Sequence, residues 1–261
     1  MTKKIKRAII KIVPDRGKLY PLSGQISREL FPLFQTSVLE KLVSEAVSVG
    51  VEEIVFLKEK KDERLIDYFE DLESQEKELK KRGNPKAEKL KKLREKFDGL
   101  DFDFKSDLPA AVRGSENFAF ITSQNLIKAK KTSLEQLMEV FKTSERPVVG
   151  LIESEMGEVK TEKIARKLFK VKAFSDEAVF SMIGRGIFTS ESKKFFDEAE
   201  NLKNALEIML KRGHTVYGSL VEGEVFSLKD ELSIMKASIY YGLKSDKAKE
   251  IKEYINSKDL L

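Results

Sequence analysis

Few residues in this chain combine type and spacing in a way that could do chemistry. The stretch "RAIIKIVPDRGKLYPLSGQISRELFPLF" (7–34) runs from an apolar strand into a polar loop, the layout of a nucleotide-binding segment. In such a segment glycines let backbone N–H groups approach phosphate closely. Here the loop "VPDRGKLYP" holds one glycine, Gly17, between Arg16 and Lys18. Arg185 stands between Gly184 and Gly186, a pattern that fits an anion nest or a tight strand turn equally. His214 is the lone histidine and follows Gly213, which points to a turn or helix-end role rather than acid–base work. The absence of cysteine excludes disulfides and thiolate metal sites. No Ser-His-Asp set, zinc pattern, Walker loop or dinucleotide fingerprint is present.

The elements that must position these residues follow from hydrophobic spacing. "AIIKIV" (8–13) and "EIVFL" (53–57) read as strands. Between them Val38, Leu39, Leu42, Val43, Ala46 and Val47 recur at helical spacing, with Ser37 as cap and Gly50 as stop. The unit is βαβ, so the strands should be parallel with a right-handed crossover. Residues 65–97 read as a charged helical hairpin broken at "RGNP", with Gly83 ending one helix and Pro85 in the first turn of the next. It is a solvated excursion, a lid or an oligomer contact. "DFDFK" (101–105) alternates as an edge or half-buried strand whose two phenylalanines suit a core better than a stacking platform. "NFAFIT" (117–122) and "ERPVVGLIES" (145–154) are further strands, the second preceded by the helix "SLEQLMEVFKT". After "KIARKLFKVKAF" and "FSMIGRGIFT" come one helix, "SKKFFDEAENLKNALEIMLKRG", and a hairpin, "TVYGSLVEGEVFSL", turning at "EGE". Helices over about 229–258 close the chain. With no linker, repeat or low-complexity segment, one doubly wound or mixed α/β domain over 1–261 is expected.

Composition narrows the function classes. The chain of 261 residues is 41% hydrophobic, enough for a substantial core. No apolar run is long enough to span a bilayer, and the stretch after the basic "MTKKIKR" is too short and interrupted for a signal-peptide core. A cytoplasmic protein with no membrane partner is expected. Lys and Arg number 49 against 44 Asp and Glu, and blocks such as "EKKDER" and "EKLKKLREKF" mix the signs on helical spacing. A nucleic-acid binder segregates its cations, so nucleic acid is not expected as a partner. Abundant Glu and Lys without Cys or Trp suits a thermophile's protein.

Several segments together carry a family resemblance. "AIIKIV" enters the loop, Pro21 and Pro32 follow at fixed spacing, and "VGVEEIVFL" leads to "DYFE" (67–70). "SMIGRGIFTSE" and "IMKASIYYGLK" recur farther on. In these the chain resembles the bacterial UTP–glucose-1-phosphate uridylyltransferases, of the sugar-1-phosphate nucleotidylyltransferase superfamily. That family opens with a strand and then G-x-G-T-R-x-x-P-x-T-x-x-x-P-K-x-x-x-P. The resemblance implies a single-domain, Rossmann-like nucleotidyltransferase fold of the α/β class. Its sheet should be mixed and mostly parallel, with helices on both faces and a ligand cleft at the carboxyl ends of the strands. It also implies a reaction in which glucose 1-phosphate attacks the α-phosphorus of UTP, with Mg²⁺ and cationic side chains stabilising the phosphates.

The same resemblance implies a degenerate site. The family's loop glycines fall on Pro14 and Arg16, and its Thr-Arg pair on Gly17 and Lys18. Proline offers no N–H, and Arg16 puts a long side chain where phosphates should lie. The P-K pair falls on Ser27 and Arg28, and an E-K-P segment on Phe169, Lys170 and Val171. The turn that carries a metal-binding Asp reads "TSQN", with Gln124 and Asn125, and the second such Asp falls near Ser227. The base-binding Gln and the G-L-G-H-A segment fall at Phe102 and on "DLPAAV" (107–112). Arg28 and Lys170 are therefore the candidate catalytic cations, and Lys18, Arg16, Gly17 and Gln124 the candidate phosphate or nucleotide cleft. No cofactor is expected. The leading expectation is a catalytically degenerate protein that binds a sugar nucleotide or other phosphate, or serves as a homo-oligomer or as a subunit of an active paralogue. The charged hairpin and the "YYGLK" helix are its candidate contact surfaces. The alternative is an active enzyme with a rewired site, its Mg²⁺ held by Asp15, Asp107 or Asp230. A structural protein with no ligand is the third reading.

Overall fold

Strands that are apolar on both faces need helices above and below them. The computed structural model describes residues 4–14, 17–114 and 116–257. β1 (Ile5–Lys11) leads through the loop to the short helix α1 (Leu22–Gln25) and a 3₁₀ turn over Arg28–Leu30. Two short strands pair next, β2 (Pro32–Leu33) with β3 (Thr36–Ser37). Ser37 then caps α2 (Val38–Val47), its Oγ accepting the Glu40 N–H at 3.1 Å. β4 (Glu53–Leu57) lies parallel to β1 with Ile9 opposite Val55, as the βαβ spacing requires.

The charged excursion consists of α3 (Arg64–Glu70), α4 (Leu72–Lys81) and α5 (Lys86–Phe97). Gly83 adopts φ +63° where the chain reverses, and Pro85 sits just before α5 rather than within its first turn. Arg94 donates to Glu76 across the two helices at 2.9 Å, and Phe97 packs edge-on to Phe69 at 5.0 Å. The "EKKDER" block does not continue a helix. Its residues form a loop until Arg64, because Asp62 is drawn inward by the partners described below.

β5 (Asp101–Lys105) is the sheet edge, and Phe102 and Phe104 both lean on Phe56. α6 (Leu108–Val112), β6 (Asn117–Thr122), β7 (Asn125–Lys128) and α7 (Ser133–Ser144) follow. The strand expected over 145–154 is longer. β8 (Val148–Lys163) and β9 (Leu168–Phe188) make one extended antiparallel hairpin. The single helix expected over 192–213 is divided into α8 (Lys193–Phe196) and α9 (Leu202–Lys211), since Asn201 leaves helical geometry to cap α9. The "EGE" hairpin does not form either. β10 (Tyr217–Leu220) inserts in the main sheet beside β8 and β9, whereas β11 (Glu224–Ser227) pairs with β7. Phe226 of β11 buries against Tyr240 of α10 (Glu231–Leu243), a contact that a local hairpin would forfeit. α11 (Ala248–Ser257) closes the described chain.

The main sheet has the order β10-β8-β9-β6-β1-β4-β5, parallel except where β9 takes part. Alternation along the central strands feeds two cores. Ala8, Ile10, Ile54 and Phe56 pack under α2, α3 and α7, while Ile9, Val55, Phe118 and Phe120 pack under α6, α8 and α9. No described helix is long and apolar enough to cross a membrane.

Arg185 lies in the body of the fold, and "GRG" is neither turn nor nest. The three residues run inside β9 against β6. Gly184 has φ +70°, and a Cβ there would fall 1.9 Å from Thr122 Oγ1, so only glycine fits. The Arg185 side chain is 0% exposed. It pairs with Glu45 of α2 at 3.0 Å and donates to the Thr122 and Asn125 carbonyls, both at 2.9 Å. Replacing Arg185 by Met strands the Glu45 carboxylate in the interior and should cost about 3–5 kcal/mol. Urea unfolding should show this loss, and the paired variant Arg185→Met with Glu45→Met should recover part of it.

Candidate functional site

β1, β4 and β5 end together, and their carboxyl ends open on a cavity of about 450 Å³. Its wall carries Lys11, Lys58 and Lys60 as cations, Asp107, Glu59 and Glu200 as anions, and Pro14 and Leu108 as apolar surface. The size suits a small organic ligand. This is the position at which open α/β sheets take their ligands.

Lys58 is aimed by a cluster drawn from two loops. Its Nζ donates to Ser27 Oγ at 2.7 Å and to Asp62 Oδ2 at 3.1 Å. Ser27 donates to Asp62 Oδ2 at 2.5 Å, and Arg64 Nε donates to Asp62 Oδ1 at 2.7 Å. Asp62 is 8% exposed. Burial opposes its charge, but the hydrogen bonds from Arg64, Ser27 and Lys58 outweigh burial and hold the carboxyl well below the usual carboxylate range. The Ser27 hydroxyl thus gives its proton to a carboxylate and accepts from an ammonium. It is a positioning group and not an activated nucleophile. Sequence spacing hid this cluster, because Ser27 and Asp62 are 35 residues apart and the intervening charges read as a solvated run.

Arg28 is 5% exposed and held by the protein itself. Its guanidinium donates to the Leu228 carbonyl at 3.1 Å, the Val13 carbonyl at 3.1 Å and Ser123 Oγ at 3.1 Å, with Glu29 at 3.2 Å. Its Nε is buried with no hydrogen-bond partner among the described residues. Lys170 is elsewhere, on β9 opposite Glu162 of β8 and Tyr217 of β10, and does not line the cavity. The structure does not bring Arg28 and Lys170 together on it.

The remaining candidates divide. Gly17, at φ +88°, and Lys18 are exposed on the loop, and Arg16 and Asp15 lie outside the described residues. Gln124 gives its backbone carbonyl to the Leu228 N–H at 2.8 Å. Asp107 borders the cavity but caps α6, its Oδ1 accepting the Ala110 N–H at 2.8 Å. Asp230 caps α10 through the Ser233 N–H at 2.8 Å; that bond, with the charge of Lys18 adding to it, keeps its carboxyl below the usual range. His214 ends the turn after α9, its ring edge-on to Phe195 at 4.7 Å.

No family model matches the chain. A curated UTP–glucose-1-phosphate uridylyltransferase of Staphylococcus saprophyticus is 24% identical, with 97% of this chain and 99% of the relative covered. One of Staphylococcus epidermidis is 22% identical over 99% of this chain and all of its own length. Among solved structures, a UTP-bound UGPase from Acinetobacter baumannii superposes with a TM-score of 0.84 at 19% identity, covering 96% of this chain and 98% of that one. The chain is a divergent uridylyltransferase-like protein. A UDP-glucose pyrophosphorylase complexed with UDP-glucose shares the fold at a TM-score of 0.76 and 17% identity, over 92% of this chain.

That relationship raises the question of magnesium, which takes carboxylate and phosphate oxygens in a tight octahedron. Among the described residues no three His, Cys, Asp or Glu side chains gather to hold a metal ion. Gln124 and Asn125 offer amides, and Asp107 and Asp230 lie on separate elements, each with an oxygen committed to a helix cap. The turn at Gln124 and Asn125 therefore offers no carboxylate to such a site.

The Asp62 cluster has a measurable pH signature. A folded-state pKa below the unfolded value means that its contribution is complete above about pH 4 and is lost as pH falls from there toward the folded value. Asp62→Asn should destabilise the protein by roughly 1.5–3 kcal/mol at neutral pH. The gap between wild type and variant in urea unfolding should narrow as pH falls below about 4.

Proposed function

We propose that this protein binds a phosphate-bearing ligand of the sugar-nucleotide class in the cleft at the carboxyl ends of β1, β4 and β5, without transferring a uridylyl group. The observation that carries the reading is the fate of Arg28. The cation that stands at the family's phosphate-binding lysine spends its donors on Val13, Ser123, Leu228 and Glu29 and has become part of the scaffold. Transition-state stabilisation needs cations aimed at the charge that develops on the reacting phosphates. A guanidinium bound on several sides by carbonyls and a carboxylate is not free to serve there.

Binding remains well supported. Lys11, Lys58 and Lys60 border one cavity, and Lys58 is held in place by Ser27 and Asp62. One structural neighbour was solved with UTP and another with UDP-glucose, the second a ligand of the proposed class. Pro14 at the cavity wall removes a backbone donor of the kind that a triphosphate cradle uses, so a ligand here depends on side-chain cations.

Calorimetric titration with UDP-glucose, with and without Mg²⁺, tests the reading together with a turnover assay on UTP and glucose 1-phosphate. Binding that is insensitive to Mg²⁺, with no UDP-glucose formed, is expected. Lys11→Met should weaken that binding about tenfold, the loss of roughly 1.4 kcal/mol. UDP-glucose production proportional to protein concentration would instead establish an active enzyme. Arg28→Ala separates the two further. It should lower the unfolding midpoint and leave the affinity of the folded protein nearly unchanged.

A further inference from the structure

A second cavity, of about 370 Å³, opens on the side of the sheet covered by α2 and shares no lining residue with the cleft. Three lysines from three elements border it: Lys41 of α2, Lys96 of α5 and Lys128 of β7. Ser44, Ser48, Thr132, Tyr241 and the Glu45 carboxylate complete the polar part of its wall. Lys96 donates to Ser44 Oγ at 2.6 Å, and the Lys41 ammonium stands over the Tyr241 ring at 4.7 Å. The carboxylates nearby are engaged by other groups. Glu40 accepts from Tyr68 and, at 2.6 Å, from Thr36, and Glu45 belongs to Arg185. Glu224 faces Lys128 across the β7–β11 ladder without forming an ion pair in the described structure.

Such a set is repulsive as it stands. Burial lowers the pKa of Lys41, Glu40 opposes that, and the charges of Lys96, Lys128 and Lys89 add to the lowering. Elsewhere on this chain lysines find carboxylates readily, as Lys58, Lys105 and Lys172 do. Three cations that face one concavity, none of them in an ion pair among the described residues, describe the complement of a multivalent anion. Hydroxyls at Ser44 and Ser48 can donate to the oxygens that the ammonium groups do not reach.

We infer that this cavity is a binding site for a compact phosphate-bearing anion, held by Lys41, Lys96 and Lys128 together with Ser44 and Ser48. Lysine suits the role as a compact point charge on a flexible stem, which follows a tetrahedral oxyanion without the planar match that arginine demands. The site is independent of what the cleft binds.

Competitive labelling tests it on the full chain. The protein is treated with a limiting amine-acylating reagent, with and without inorganic phosphate, chloride matching the ionic strength, and each lysine is read by peptide mass spectrometry. Phosphate should suppress labelling of Lys41, Lys96 and Lys128 together, by about tenfold at ten times its half-saturating concentration, as occupancy requires. Parallel arms with pyrophosphate and glucose 1-phosphate identify the source of the phosphate group, and protection by either supports the site. In the Lys96→Met, Lys128→Met protein the protection of Lys41 should vanish. Unchanged labelling in every arm, protection confined to Lys11 and Lys58 of the cleft, or protection of Lys41 that survives the double replacement would overturn the proposal.

Discussion

Two buried guanidiniums grip one turn, and the arrangement of the cleft depends on it. The turn runs from Thr122, the last residue of β6, to Asn125, the first of β7. Arg185 reaches it from β9 and takes the Thr122 and Asn125 carbonyls, while Arg28 reaches it from the loop after α1 and takes Ser123. Ser123 Oγ in turn accepts the Val13 N–H at 2.9 Å, which ties the end of β1 to the same place. Backbone carbonyls withdrawn from water need donors, and each arginine supplies several from one side chain. The cost of burying the charges is offset by carboxylates, Glu45 for Arg185 and Glu29 for Arg28.

This constraint makes Arg28 and Arg185 part of the scaffold. A turn held from both sides keeps the sheet, the loop and α10 in register. The same contacts engage Arg28, and the turn itself offers the amides of Gln124 and Asn125. The cleft presents Lys11, Lys58 and Lys60 beside Asp107, Glu59 and Glu200. Packing constrains the interior, while a site depends on a few projecting groups.

Much of the architecture was legible along the chain. Ser37, the apolar period of α2 and the run "EIVFL" gave the first βαβ unit because capping, helical spacing and strand periodicity act within a few residues. Asn201 caps α9 in the structure, but the apolar residues on either side of it keep helical spacing, so the break between α8 and α9 was hidden. β10 and β11 misled for another reason. Their local pattern suits a hairpin, yet Phe226 gains more from Tyr240 and the core than from a neighbouring strand.

The sequence by itself determined the α/β class, the charged helical excursion, the single glycine of the loop after β1 and the amides at the "TSQN" turn, since each is a matter of residue type or short-range spacing. Only the tertiary structure decided which charges are scaffold and which are surface. Arg28 meets Leu228 across 200 positions, Arg185 meets Glu45 across 140, and Ser27 meets Asp62 across 35. A charged residue looks the same in the sequence whether it ends in water or in the interior. Its partners, and with them its role, exist only once the chain has folded and burial has made an unpaired charge costly.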